Sequence, residues 1–523
     1  MEQIEAKSKY DPKLELSSYD MPPIELLADN KWVNAEVTDE EHTNNKNKIV
    51  ETFRKYGIEI VEIIKANQGP TVTLYEITPA PGLKISTIKN LENDITLSLA
   101  LRGSRIIAPM PMKGTIGIEM PNRHPQIVSL RTCISSQRFQ VANMELPIAL
   151  GKTFSNETFV FDLTKTPNIL VTGSHGQGKS VCINAIIASI LYKKHPSQVK
   201  LVLVDSKSVE FTIYENIERH FLAKLPDSEE AIITIIQKVI NTVNSLCMEM
   251  DMRFNLLKNA GVRNVKEYNN RLTSLRLDTH LSHRYLPYIV VIIDDYADYV
   301  MAAGKEIEMP IARLAQKALN VGIYLIIVTQ RPATNIITDV IKATFPVRIA
   351  FRDTSPDNSR YILDRRSSAD RLIGGGDLFF TLGGGGDLTR VQCAFIDYSE
   401  IEEITRFIGK QASYPTCFLL PQYIGEVGVE SKEIDLNKKD DLFDDAARLI
   451  VTHQIGSTSL VQRTFSLGYI RAGRIIAQLE EAGIVGTSEG SNTRQVLFTD
   501  MASLEKYLKK MKKKSKSKLF PHL

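Results

Sequence analysis

The chain is poor in the features that mark several large protein classes. Its five cysteines, Cys133, Cys182, Cys247, Cys393 and Cys417, are scattered, odd in number and contain no CxxC pair. Neither a disulfide framework nor a cysteine zinc site is indicated, and a reducing cytoplasm is the compartment they imply. No apolar run approaches the ~20 residues that cross a bilayer. The longest candidate, Ile183 to Leu191, is interrupted by Asn184 and Ser189. The opening MEQIEAKSKYDPK lacks the positive-then-apolar order of a signal peptide. Charge of one sign is also missing: 64 Lys and Arg against 61 Asp and Glu leave a net +3. Overall charge therefore names no partner. The exception is local, the strongly basic stretch KYLKKMKKKSKSK at 506–518.

What is present is ordinary globular material: 523 residues, 43% hydrophobic and 24% charged, enough for about three domains. Residues 1–42 are polar and mixed in charge and read as a flexible leader. Residues 43–144 read as an α+β module. A helix is expected through HTNNKNKIVETFRKYGI, with Ile49, Phe53 and Tyr56 at helical spacing. TVTLYEITPAPG alternates like a strand, LENDITLSLALR has a helical pattern, and SRIIAPMPMKGTIGIEMPN predicts two short strands. From 145 to 420 the pattern changes. ILVTG (169–173), KLVLVD (200–205), YIVVIIDD (288–295) and IYLIIVTQ (323–330) are short, nearly all-apolar runs separated by helical segments. Such runs suit strands buried on both faces of a parallel sheet, so the architecture is α/β. Residues 421–440 read as a linker, 441–500 as a small helical unit and 501–523 as a basic tail.

The most informative segment is ILVTGSHGQGKSVCINAIIASIL. Residues Gly173, Ser174, His175, Gly176, Gln177, Gly178, Lys179 and Ser180 fit G-x-x-x-x-G-K-[ST] in its required strand–loop–helix context. The glycines let successive amides point at phosphates, Lys179 brings a positive charge to the β and γ oxygens, and the Ser180 hydroxyl suits Mg²⁺. The following helix presents its N-terminus to the anion. The motif predicts ATP with Mg²⁺. YIVVIIDDYADY supplies a complement: Asp294 at the end of an apolar strand can hold the metal with Ser180, and Asp295 can orient the attacking water. Gln330 ends another apolar strand in VTQRP; it is either a γ-phosphate sensor or a polar strand terminus before Pro332. Arg360, in SPDNSRYILD, is an arginine-finger candidate, although a lone Arg is usually a solvated surface residue. The glycine cluster 383–386 has no following Lys-Ser or helix and reads as a turn between two strands.

In the C-terminal unit, DLFDDAARLIVTHQ, GSTSLVQRTFS and GYIRAGRIIAQLEEAGIV predict three helices, and TSEGSNTRQVLF a hairpin. That is a winged helix-turn-helix. Arg471 and Arg474, i and i+3 on the third helix, share a face suited to a DNA major groove. The basic tail adds phosphate neutralisation; a solvated end or a membrane-surface contact is the alternative.

Taken in order, TGSHGQGKSVCINAIIASILYK, LVLVDSK, MEMDMRFNLLKNAGVRNVKEYN, LPYIVVIIDDYADY, IARLAQKALNVGIYLIIVTQRP, VIKATFPVRIAF and DNSRYILD resemble the FtsK/SpoIIIE DNA translocases. The likeness runs from about residue 45 to 500. It implies a RecA-like P-loop ATPase that assembles as a hexameric ring on double-stranded DNA and moves along it during chromosome segregation and cell division. It also implies that Lys179, Asp294, Asp295 and Gln330 form the catalytic set, with Arg360 acting on the ATP of a neighbouring subunit. Three departures stand out. The family usually has Glu where Asp295 stands. Members that read polar DNA sequences carry Asn and Glu where this chain has Ile470 and Ala477. Most members also have membrane helices before the motor; a soluble variant, a separately encoded motor and a chain expressed without its anchor are the open readings here, with a membrane-anchored or recombinase partner as one route by which a cytoplasmic chain reaches the membrane or division site. A ring ATPase that moves proteins and a non-hydrolysing DNA scaffold are the competing readings.

Overall fold

Ile49 and Phe53, one helical turn apart, are fully buried on one side of the helix Asp39–Lys55, as their spacing requires. In this computed structural model the described residues are 10–28, 37–99, 103–110, 114–166, 168–274, 283–364, 369–383, 388–423, 440–465, 475–476, 478–486 and 494–518. They fall into two compact units, Met1–Tyr423 and Ile424–Leu523.

In the first unit, an antiparallel sheet in the order β1-β2-β4-β3 follows the first helix, with β1 Ile60–Gln68, β2 Val72–Pro79, β3 Arg105–Ile107 and β4 Ile116–Pro121. Tyr75 and Ile77 of β2 share a core with Ile49, Phe53 and Ile88, the last from the helix Ile85–Ser98. The other face of β2 is buried too, at Leu74. The expected alternation of exposed and buried positions therefore does not hold in this strand. Strand β1, which no sequence expectation covered, pairs along β2 with four residues exposed and five half-buried, and its apolar residues come in adjacent pairs that do not alternate.

The remaining strands of the unit are β5 Val128–Ser129, β6 Pro147–Thr153, β7 Thr158–Asp162, β8 Ile169–Thr172, β9 Val199–Val204, β10 Ala223–Lys224, β11 Tyr288–Ile293, β12 Ile323–Thr329, β13 Val347–Phe351, β14 Asp377–Thr381, β15 Thr389–Phe395 and β16 Phe418–Leu419. The main sheet runs β7-β6-β15-β14-β13-β8-β12-β11-β9. Strands β13, β8, β12, β11 and β9 are parallel, and β14, β15, β6 and β7 extend the sheet antiparallel. Every residue of β8, β9, β11, β12 and β13 is buried, which is why these segments read as unbroken apolar runs. The four such runs found in the sequence are β8, β9, β11 and β12. The expected turn between two strands joins β14 and β15; Gly383 lies at its start, and 384–386 are outside the described residues.

Register aligns the carboxyl ends of the parallel strands. Thr172 of β8 pairs with Thr329 of β12 and Ala350 of β13, while Ile293 of β11 pairs with Ile327 and with Val204 of β9. Gly173, Gln330, Asp294 and Asp205 therefore leave the sheet along one edge, and β12 separates the strand bearing the glycine loop from the strand bearing Asp294.

The flexible-leader expectation is corrected over residues 10–28. Leu16 and Leu27 are buried, the Tyr19 ring stands edge-on to His195 at 5.2 Å, and Ala28 donates from its amide to Glu400 Oε1 at 2.7 Å. Leu16, Tyr19, Ile24, Leu26 and Leu27, among polar neighbours, dock this segment. Residues 1–9 and 424–439, the latter covering most of the expected linker, lie outside the described residues.

In the second unit the helices Phe443–His453 and Thr458–Phe465 flank Gly456, which bridges to Arg494, and Val485 bridges to Val496. Ala446, Ile450, Ile475 and Leu479 share its core. The basic tail is corrected as well. Met501–Lys518 is a helix, and Leu504 and Leu508 enter that core. The Tyr507 hydroxyl donates to the Ala482 carbonyl at 2.7 Å. The tail thus begins as part of the domain, because its apolar residues recur at i, i+4 beneath the lysines.

Candidate functional site

The loop from Gly173 to Ser180 joins β8 to the helix Lys179–Leu191. Gly173 has φ 149°, and a Cβ there would lie 2.6 Å from the Cβ of Phe351; only glycine fits between these two parallel strands. Gly178, at φ 113°, turns the chain into the helix. Ser174 is held from β13's side: its amide donates to the Arg352 carbonyl at 2.9 Å, and its hydroxyl accepts from the Thr354 amide at 3.3 Å. His175 and Gly176 are exposed at the tip. Behind Gln177 lies a second glycine loop, Gly374 to Gly376, with φ of 99°, 60° and 96°. Gly376 donates to the Gln177 carbonyl at 3.1 Å, and a Cβ on Gly374 would strike Gln177 Oε1 at 2.6 Å.

Lys179 is 7% exposed, and its ammonium donates to the Ser174 carbonyl at 2.8 Å, curling back under the loop. Burial pulls its pKa below the usual lysine value, while Asp294, Asp295, Asp353 and Glu210 push it back up. Asp294 is affected in the opposite sense. Burial first, then the neighbouring Asp295 charge, raise its carboxyl to about 7. The Asp295 amide donates to Asp294 Oδ1 at 2.9 Å and offsets part of that rise.

Asp295 sits in the left-handed region at φ 47°, ψ 44°, a conformation that Asp tolerates better than most residues. The turn brings its carboxylate to Gln330, whose Nε2 donates to Oδ1 at 2.9 Å, and to Lys207, which forms an ion pair with Oδ2. The Ser180 hydroxyl donates to Glu210 Oε1 at 2.9 Å. Lys207 and Glu210 belong to one loop after β9. Asp205 anchors that loop by accepting the amides of Lys207, Val209, Glu210 and Phe211 at 2.9–3.3 Å.

Lys179, Ser180, Asp294, Asp295 and Gln330 are therefore brought together. Arg360 stands apart, half-exposed on the helix Pro356–Leu363, its guanidinium 3.4 Å from Asp357. Arg471 and Arg474, with Ile470 and Ala477, lie outside the described residues. Sequence reasoning missed Asp205, Lys207, Glu210 and the Gly374–Gly376 loop. A signal existed for the first: Asp205 closes an apolar strand, as Asp294 does. For Lys207 and Glu210 the signal is tertiary, since their partners are 88 and 30 residues away in sequence.

Buried donors, a glycine loop opening a helix and a carboxylate two strands away define a RecA-like P-loop nucleotide-binding core, preceded by an α+β module and followed by a winged helix. Residues 21–122 match the FtsK alpha domain, 129–334 the FtsK/SpoIIIE family and 437–499 the Ftsk gamma domain. The chain is 43% identical over 500 residues to the DNA translocase FtsK of Chlorobaculum tepidum, covering 94% of this chain and 61% of that one. It is 39% identical over 496 residues to the DNA translocase SpoIIIE of Bacillus subtilis, covering 95% and 60%. Among solved structures, the pCW3 conjugation coupling protein TcpA is 22% identical with TM-score 0.46, covering 70% of this chain and 99% of that one. The chain belongs to the FtsK/SpoIIIE family. It spans about three fifths of the length of these two translocases.

Proposed function

We propose that this chain is an ATP-driven translocase of double-stranded DNA, working as a hexameric ring in chromosome segregation coupled to cell division. The observation that carries this reading is the convergence of Lys179, Asp294, Asp295 and Gln330 at one sheet edge, beside a glycine loop. The winged-helix unit of the same chain and the name shared by its relatives, DNA translocase, favour DNA over a protein cargo.

In this reading the loop amides and Lys179 bind the triphosphate. The water oxygen attacks the γ-phosphorus, the bond to the β–γ bridging oxygen breaks, and ADP and phosphate leave. Asp295 takes the water's proton and Gln330 orients the Asp295 carboxylate. The donor chemistry suits Mg²⁺: Ser180 and Asp294 offer hard oxygens, and desolvated negative charge gathers around them. Among the described residues no group of three or more His, Cys, Asp or Glu is arranged to hold a metal, so phosphate oxygens and water would complete the shell. Bound there, Mg²⁺ would neutralise charge on the transferring phosphoryl group. Arg360 is exposed enough to reach a neighbouring subunit's ATP, which calls for a head-to-tail interface of the kind that closes into rings. Arg471, Arg474 and the lysine-rich last helix would contact DNA. No helix among the described residues is long and apolar enough to cross a membrane. A membrane-anchored or recombinase partner would be one means of placing the motor at the division site.

Phosphate release with and without duplex DNA tests the reading. Duplex is expected to raise turnover in the wild type. Lys179→Ala should lose it by at least ~100-fold while still retaining DNA. Arg360→Ala should bind ATP without hydrolysing it, and mixing the two variants should restore part of the activity. If duplex leaves wild-type turnover unchanged, the motor reading fails.

A further inference from the structure

Both carboxylate oxygens of Asp295 are engaged, one by Gln330 and one by Lys207. Each oxygen keeps a second lone pair, but the two partners fix the carboxylate's direction, and the Lys207 charge weakens its pull on a proton of an attacking water. The two restraints differ in kind. Gln330 ends a buried central strand and is partly buried. Lys207 is 54% exposed at its side chain and sits in the loop after β9, whose tip carries Ser208 at φ 55° and the exposed Val209. The same loop delivers Glu210 to the Ser180 hydroxyl, and Asp205 ties both ends of it down through backbone amides. One short loop thus holds two groups of the nucleotide site, and it reaches Asp295 through a side chain that solvent can compete for.

We infer that Lys207 is a positioning residue that restrains Asp295, keeping turnover low until the loop after β9 shifts. The inference rests on the ATPase reading above and deepens it. Magnitudes favour a reversible restraint over a structural one. Exposed ion pairs typically change an equilibrium by no more than about five-fold, small enough for a bound partner to overcome. A carboxylate misplaced by about 1 Å costs roughly 100-fold in rate, so the restrained state is effectively inactive and turnover follows the fraction of molecules in which the pair is open. The chain's Asp at this position sharpens the point, because its shorter side chain has less reach with which to satisfy Lys207 and a water at once.

The test is steady-state ATPase of the full chain carrying Lys207→Met or Lys207→Arg, with and without duplex DNA. Lys207→Met removes the charge but keeps much of the side chain's length, at a half-exposed site where folding is spared. It should raise duplex-free kcat by roughly two- to five-fold, leave KM for ATP unchanged and shrink the stimulation by duplex. Lys207→Arg keeps the pairing and should behave as the wild type. A structural role would instead lower kcat or melting temperature, or change KM. If the wild type turns over ATP while Lys207→Met is unchanged or slower without duplex, the restraint is overturned and the motor reading survives. If the wild type turns over no ATP under either condition, the motor reading falls and this inference with it.

Discussion

Asp294 illustrates how the site sets opposing demands on one side chain. Its place just past the carboxyl end of β11 partly buries it, and that burial together with the neighbouring Asp295 charge raises its carboxyl to about 7 against an ordinary 3.8. The native protein therefore holds a proton that the unfolded chain has released. Between about pH 4 and pH 7 stability falls as pH rises, and above 7 the loss is complete. Asn has the same shape and does not ionise. Asp294→Asn should thus stabilise the nucleotide-free protein at pH 8 by ~1–3 kcal/mol, with the gain shrinking at pH 5, as read by urea unfolding at the two pH values. No gain at pH 8 would show that Asp294 is not strained by its surroundings. Residues of this kind were legible in the sequence, since a strand-end Asp and a glycine loop ending in Lys-Ser are local patterns. The left-handed turn at Asp295 was not, nor were Lys207 and Glu210, whose roles exist only once β9 and β11 lie side by side.

The β14–β15 hairpin shows what an element does when its polar residues are read together. Asp377 and Arg390 are diagonal neighbours across it, Asp377 standing opposite Gln392 and Arg390 opposite Phe379. Arg390 donates through Nε to Asp377 Oδ1 at 3.0 Å and through Nη2 to Oδ2 at 2.7 Å. Its other terminal nitrogen reaches Glu119 Oε2 of β4 at 2.8 Å and the Gly103 carbonyl at 2.9 Å. All three charged side chains are buried, and the two carboxylates keep the guanidinium firmly protonated. The leading module is thereby bonded to β15 and, through Arg390, to Asp377, the residue after Gly376, which braces Gln177 of the phosphate loop. Breaking such a pair strands buried charge. Arg390→Met should cost ~3–5 kcal/mol in urea unfolding and weaken nucleotide binding as the Gly374–Gly376 loop loosens. A loss below ~1 kcal/mol would mean the network is not coupled to the fold. At this scale hydrophobic periodicity located β8, β9, β11 and β12 and the helices Asp39–Lys55, Ile85–Ser98, Lys179–Leu191, Phe443–His453 and Thr458–Phe465. It was silent on β1, whose apolar residues do not alternate, and on this network, because a sheet residue's charge says nothing of which partner the fold brings to it.

Across the whole molecule the order of parts was legible: α+β module, nucleotide-binding core, winged helix. The sequence's ends were misjudged in the same way at both sites. Polar composition hid the few apolar side chains that dock residues 10–28, and the lysines of the last helix hid Leu504 and Leu508. Sparse apolar residues are enough when a preformed surface receives them. The central claim, that nucleotide turnover drives movement along DNA, is tested most directly by measuring ATPase rate against duplex length at constant base-pair concentration. A ring that tracks along its substrate spends more time bound on longer duplexes, so the rate should rise with length and then level off. A rate that is stimulated equally by short and long duplexes would contradict translocation and leave a static DNA-bound ATPase.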